Sequence, residues 1–331
     1  MLWFFFLSLG LKLQLLTGVR KILWFVLFCF ICHMAGAAHI TNLHIPVSQQ
    51  RDGYIVPFTL QGGLIIIQAM INDSMGNFVI DTGAEGLVLN NKYYQGVTDE
   101  SRSYYGVNGR GRGLTVSKNN NISAEGLTFS GITADVVDLT SIENNKNIRI
   151  AGLIGFALLK DFEVMFHYRE RLIALSRVDS NGRIIDPMPF VLDKVDSLSF
   201  VMGNFIPVIE VKVNGFTKKF GIDSGAEINL LDLKRSKNIM TEFLPMRTIR
   251  LAGANNEENE VIAGRLQRVK LLDKYNCGAM GTVLMNMDNL NKIYRTNLDG
   301  ILGFEFLSPW LFSINYKKQM LYLHPLKVVV P

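Results

Sequence analysis

The chain has 331 residues, 48% of them apolar and 19% charged, which is more than one hydrophobic core usually supports and ample to fill two. Its 29 glycines and 9 prolines are too few for a collagen-like or Pro/Gly-rich disordered chain. The net charge of +5 shrinks once the ends are separated, because residues 1–37 hold Lys12, Arg20 and Lys21 and no acid, leaving 31 bases against 29 acids. That balance excludes the basic footprint of a nucleic-acid binder. Cys29 and Cys32 lie in the apolar N-terminal run and Cys277 stands alone in the body, so a disulfide framework or a cysteine-rich zinc site within the mature chain is excluded.

The first element is an address. Arg20-Lys21 precede eleven unbroken apolar residues, Ile22 to Cys32, followed by Ala35-Gly36-Ala37. A basic start, a short apolar stretch and small residues predict a secretory signal cleaved after Ala37, and hence export across the cytoplasmic membrane. Eleven helical residues span about 16 Å, short of the roughly 30 Å hydrocarbon core. The alternative is an uncleaved anchor, which the extra apolar segment Met1–Leu16 favours and which alone would bring the protein to a membrane. In a bacterial source Val19 is a candidate true start. Residues 38–53 form an N-terminal segment too short for a long inhibitory prosegment.

The body is one pattern written twice. Gly76-Asn77-Phe78-Val79-Ile80-Asp81-Thr82-Gly83-Ala84-Glu85 answers Lys218-Lys219-Phe220-Gly221-Ile222-Asp223-Ser224-Gly225-Ala226-Glu227, with the aspartates 142 residues apart. Downstream, Gly152-Leu153-Ile154-Gly155-Phe156 answers Gly300-Ile301-Leu302-Gly303-Phe304. The Asp-to-Gly spacings are 74 and 80 residues. Each copy closes with a strand-like tail, 163–175 and 310–323. A repeat this long predicts two related lobes, 54–192 and 193–331, joined near Leu192–Ser199.

Within each copy the strand signals dominate. Leu64–Ile71 is rich in β-branched residues and leads into a turn cluster at Asn72–Gly76. Ile209, Val211 and Val213 alternate with Glu210 and Lys212, the period of a half-buried strand, and Asn214-Gly215 supplies a hairpin turn. Helical pattern is confined to Met287–Arg295 and the segment after Gly155. The predicted class is all-β, with two related barrel-like lobes and a cleft between them.

A single Asp-Thr-Gly reads as a strand running into a capped turn. Two copies on related lobes predict that Asp81 and Asp223 meet at the pseudo-two-fold axis. Two carboxyls that close cannot both ionise easily, so one keeps a proton while the other is charged. An acid and a base then share one water: the ionised member deprotonates it as it attacks a carbonyl, and the protonated member supports the oxyanion.

These paired motifs, each with its downstream apolar-apolar-Gly, resemble the two halves of an aspartic peptidase of the retropepsin/pepsin superfamily. The Asp-Thr/Ser-Gly-Ala form is closer to the retropepsin branch, while the fusion of both halves in one chain is like pepsin. The resemblance implies that Asp81 and Asp223 are catalytic and that Thr82 and Ser224 form crossed hydrogen bonds holding the loops. It also implies that Gly83 and Gly225 let the backbone approach the carboxyls, where a side chain would block it. Gly155 and Gly303 would sit where a loop crosses behind each aspartate. No cofactor or metal is required. The implied partner is a polypeptide bound extended in the cleft by a monomer.

A glycine-rich segment, Tyr104 to Gly113, follows Asp81 and resembles a retropepsin flap, with Tyr105, Gly106, Asn108, Gly109 and Gly111 as its candidate residues; the alternative is an ordinary surface hairpin. Its second-copy counterpart, Leu251–Asn255, has fewer glycines, predicting one working flap. Arg110 and Arg112 read as a solvated hairpin tip, the alternative being a preference for acidic substrates; Glu85 and Glu227 read as surface ion-pair partners, the alternative being substrate-facing groups; and Cys277 and Trp310 read as core. Alanine at positions 84 and 226 cannot donate a hydrogen bond to a carboxylate, which predicts a mildly acidic to neutral pH optimum. The function so predicted is an exported aspartic endopeptidase; the alternative is a catalytically silent peptide-binding or adhesion module on the same fold.

Overall fold

Alternating apolar residues and two-residue turns make most of the described residues strand. The structure is a computed structural model and describes residues 53–106, 109–188, 196–252 and 258–324. The candidate signal at 1–37, with Cys29, Cys32 and Val19, lies outside the described residues, as do 38–52, the first half of the join at 192–195 and the flap candidate Asn108. Among the described residues no helix is long and apolar enough to cross a membrane.

The class is all-β, and the repeat is visible in the strand order. In the first half one sheet runs β2 (Thr59–Gln61), β3 (Leu64–Ile71), β4 (Ser74–Ile80), β9 (Gly152–Ile154), β5 (Leu87–Asn90), β8 (Leu127–Val137), β7 (Gly109–Ala124) and β6 (Val97–Gly106). In the second half the order is β13 (Val201–Gly203), β14 (Ile206–Val213), β15 (Phe216–Ile222), β22 (Gly300–Leu302), β16 (Asn229–Asp232), β21 (Met280–Met285), β18 (Glu258–Leu266) and β17 (Phe243–Ala252). The two orders match strand for strand. So do the directions: β4–β9 and β15–β22 are parallel, as are β5–β8 and β16–β21. The second sheet adds β19 (Val269–Leu271) and β20 (Tyr275–Asn276) beside β14.

A third sheet joins the halves. Its order is β1 (Tyr54–Pro57), β11 (Leu172–Arg177), β10 (Phe162–His167), β23 (Leu311–Asn315), β24 (Met320–His324) and β12 (Asp196–Ser199). Each repeat's tail is thus a hairpin, and the two hairpins meet at the β10–β23 seam. Buried polar groups fix that seam's register: Ser313 and Asn315 both donate to the Glu163 carboxylate, and a one-residue slip would break both bonds.

Local chemistry explains the turns. Asn72 and Asp73 adopt positive φ between β3 and β4, a shorter turn than the predicted Asn72–Gly76 cluster. Asn214-Gly215 makes the equivalent turn between β14 and β15, also at positive φ, and β14 buries its apolar set while Glu210 stays exposed. Among the described residues helices are few: α1 (Thr140–Lys146), α2 (Phe156–Leu159), α3 (Asp288–Ile293) and α4 (Phe304–Leu307), with a 3-10 turn at Lys237–Glu242. Of these, α2 and α3 match expectation; α1 and α4 do not announce themselves, α1 because its turn is polar and its N-cap is Leu139, which makes no side-chain cap.

One core runs through both halves and the shared sheet, including Phe78, Phe162, Phe166, Phe220 and Phe312, and each half's sheet covers a smaller one on its other face. Phe78 and Phe220 occupy equivalent positions and are fully buried, each worth about 1.5–3 kcal/mol. Each lies against a glycine of strand β9 or β22, Gly152 or Gly300, where an added Cβ would strike the ring. Trp310 lies edge-on to Tyr275, and Cys277 is partly buried against the core, with its thiol pushed up to about 11 by burial.

Candidate active site

Strands β4 and β15 each end directly before an aspartate. Asp81 N–H donates to the Ile154 carbonyl and Asp223 N–H to the Leu302 carbonyl, both at 3.0 Å, so the adjacent parallel strand anchors each residue. Gly155 and Gly303 follow those strands and lie against the Ala84 and Ala226 carbonyls, where a Cβ would collide. Each glycine thus packs closely against the backbone of its own half's aspartate loop.

The two loops are tied to each other. Thr82 N–H donates to Ser224 Oγ at 3.1 Å, and Ser224 N–H donates to Thr82 Oγ1 at 2.9 Å. Each hydroxyl in turn donates across the boundary, Thr82 to the Ile222 carbonyl at 3.0 Å and Ser224 to the Ile80 carbonyl at 2.8 Å. Four hydrogen bonds therefore link residues about 142 positions apart in sequence, and all four are buried. Each buried backbone group they satisfy would otherwise cost about 1–3 kcal/mol.

Within each loop the glycine N–H caps its own aspartate: Gly83 donates to Asp81 Oδ1 at 2.9 Å and Gly225 to Asp223 Oδ1 at 2.8 Å. Each glycine also abuts the opposite aspartate. A Cβ at Gly83 would stand 2.6 Å from the Asp223 Cγ, and one at Gly225 would stand 2.5 Å from the Asp81 Cγ. The carboxyls are thus interleaved, each lying against the other's loop. Both aspartates are buried, at 2% exposure. All six predicted dyad and loop residues come together.

The hairpin of β6 and β7 pairs Tyr104 with Gly111, Tyr105 with Arg110 and Gly106 with Gly109. Four of the five flap candidates lie on its strands, and β6 comes against α3 of the second half. The equivalent hairpin of β17 and β18 pairs Ala252 with Glu258, so each half extends one; the segment 253–257 lies outside the described residues.

The expectation that Glu85 and Glu227 are surface groups needs correction. Glu227 is only 16% exposed and its carboxyl meets the Lys146 amine of α1, itself 7% exposed, against the Gly62–Gly63 turn of the first half. Burial pushes the Glu227 carboxyl up to about 8, while Lys146 pulls it back. Glu85 is half-buried. Repeat alignment places Tyr294, at the end of α3, opposite Lys146. Its hydroxyl donates to the Gly83 carbonyl at 3.3 Å. Each half thus sends one side chain from equivalent positions to the other half's aspartate loop. Neither residue carries a motif; extending the repeat alignment outward from Gly155 and Gly303 is the signal that finds them.

Among the described residues no cluster of three or more His, Cys, Asp or Glu has the arrangement of a metal site. Two interleaved carboxyls, buried and held by rigid backbone, are suited to exchanging one proton with a small molecule between them. No family model matches the sequence, and no curated protein matches it.

Proposed function

We propose that this chain is an aspartic endopeptidase, two related β lobes of the retropepsin/pepsin type that hydrolyse peptide bonds with the pair Asp81 and Asp223. The observation that carries this reading is the reciprocal tie of Thr82 and Ser224, which brings each glycine against the opposite carboxyl. An ordinary strand-to-turn aspartate has no use for a second one interleaved with it.

In the proposed reaction a water lies between the two carboxyls. The ionised aspartate takes its proton as the oxygen adds to the substrate carbonyl, and the protonated aspartate donates toward the developing oxyanion. Transfer of a proton to the amide nitrogen then breaks the C–N bond, giving one new carboxyl terminus and one new amine. Rigid loops matter because the geometry exists before substrate arrives, so little reorganisation opposes the step. Thr82 and Ser224 hold the loops, Gly83 and Gly225 allow the approach, and the β6–β7 hairpin, with Tyr105, Gly106, Gly109 and Gly111, covers an extended substrate strand and pairs with its backbone. Export through the N-terminal segment is part of the same proposal.

The test is cleavage of a denatured protein by the purified chain, blocked by pepstatin. Cleavage that persists in Asp81→Asn or Asp223→Asn contradicts the reading. Binding of peptide without cleavage by the wild-type chain favours the silent module instead.

A further inference from the structure

The repeat extends past the glycines. Tyr168 follows Gly155 by 13 residues and Tyr316 follows Gly303 by 13, so the two tyrosines are equivalent and stand just beyond β10 and β23 of the shared sheet. Both rings are buried at 5% exposure. Each is held by equivalent neighbours. Tyr168 is edge-on to Phe58 of its own half, at 6.0 Å, and to Phe304 of the other, at 5.7 Å. Tyr316 is edge-on to Phe200 at 6.3 Å and to Phe156 at 5.3 Å.

The contacts cross between halves and end at the aspartate loops. Phe304 N–H donates to the Ala226 carbonyl at 2.7 Å, and Phe156 N–H donates to the Ala84 carbonyl at 2.9 Å. Each tyrosine therefore lies one ring behind the opposite loop. Among the described residues neither hydroxyl has a hydrogen-bond partner. Packing accounts for a ring at these positions, but not for a hydroxyl, since a buried unpaired hydroxyl lowers stability and phenylalanine would fill the same space. Two equivalent positions in otherwise diverged halves carry the same uncompensated group.

A hydroxyl without a partner is a free rotor, and in a low-dielectric interior it turns its dipole along the local field. Burial pushes both phenols up, and the charge of Asp223 at Tyr168 and of Asp81 at Tyr316 adds to it, so both stay protonated. Other titratable groups about the loops and rings include Glu85 and Glu227 beside the motifs, Lys146 against Glu227, Glu305 beside Phe304, His167 and Lys317 beside the tyrosines, and Tyr294, whose hydroxyl is committed to Gly83.

We propose that Tyr168 and Tyr316 are positioning residues of the carboxyl pair, each turning its buried hydroxyl dipole toward the aspartate of the opposite half and favouring its ionised form. Neither touches substrate; they act through Asp223 and Asp81. The device supplies from behind the loops some of the anion stabilisation that Ala84 and Ala226 cannot supply from within them. It rests on the reading of Asp81 and Asp223 as a coupled pair.

The experiment titrates the full chain, labelled with carboxyl-13C aspartate, by NMR as wild type, Tyr168→Phe and Tyr316→Phe. Asp81→Asn and Asp223→Asn serve for assignment, and Phe58→Leu is the packing control. Each Tyr→Phe variant should raise the lower apparent pKa of the pair by about 0.3–1 unit, a two- to tenfold loss of the ionised form on the acid limb. Their melting temperatures should be unchanged or higher, since an unpaired hydroxyl is removed. Phe58→Leu should lower the melting temperature and leave the carboxyl titration in place. An unchanged titration in both Tyr→Phe variants, or an equal shift in Phe58→Leu, overturns the proposal. Shifted carboxyls in a chain that cleaves no peptide would remove the peptidase reading and leave this one standing. Cleavage with unshifted carboxyls would do the reverse.

Discussion

Replacing Gly225 by alanine perturbs the carboxyl pair from its far side. A Cβ there falls 2.5 Å from the Asp81 Cγ and 2.7 Å from both its oxygens, whereas ordinary contact begins at 3.4 Å. Neither Gly225 nor Gly83 has positive φ, so alanine fits the backbone and the conflict lies with the opposite carboxyl alone. Asp81 is short, buried and capped by Gly83 N–H, so it cannot swing aside without losing that bond. Relief requires a displacement of about 0.9 Å, and a misplacement of about 1 Å costs on the order of 100-fold in rate. Gly225→Ala should therefore lower kcat/KM on a peptide substrate by on the order of 100-fold, chiefly through kcat, with KM and circular dichroism little changed. Gly83→Ala should do the same through Asp223. Wild-type kcat/KM in a folded Gly225→Ala protein would refute the claim that the carboxyls are interleaved.

Three further outcomes follow from the same geometry. Thr82→Val removes the acceptor of the Ser224 N–H and the donor to Ile222; at about 1–3 kcal/mol per orphaned group it should cost about 2–6 kcal/mol in denaturant unfolding, and a loss below about 0.5 kcal/mol contradicts the tie. Glu227 is raised by burial from an ordinary carboxylate to about 8, so the folded chain keeps a proton there that the unfolded chain loses. Its contribution is full below about pH 4.5 and falls as pH rises toward 8, by up to about 1.4 kcal/mol per pH unit; Glu227→Gln should flatten the stability curve over that window, and an unaltered curve would show that Glu227 titrates normally. Because residues 84 and 226 are alanines, activity should peak in mildly acidic to neutral buffer, and a maximum below about pH 3 would exclude that account.

What the sequence disclosed depended on how local the cause was. The Asn214-Gly215 turn and the alternation of Ile209, Val211 and Val213 were legible because turn chemistry and strand period act over a few residues. Comparing Phe78–Glu85 with Phe220–Glu227 made the duplicated sheet readable, and with it the meeting of Asp81 and Asp223. The β10–β23 seam was not legible, because it pairs Glu163 with Asn315 and no short-range signal marks such a contact. Lys146 was hidden for the same reason: α1 carries weak helix signals, and its partner Glu227 looks like any charged residue after a turn. Tyr168 and Tyr316 stand just beyond strand ends and carry no motif; only the matched spacing from Gly155 and Gly303 distinguishes them.

The central claim is that Asp81 and Asp223 share one proton and one water in hydrolysis. The direct measurement is digestion of a peptide library by the wild-type chain and by Asp81→Asn and Asp223→Asn across a pH series, with melting curves showing that all three are folded. Each Asn variant should cleave at less than about a thousandth of the wild-type rate at every pH, because neither half of the pair can serve as acid and base alone. Wild-type cleavage surviving in either folded variant would contradict it.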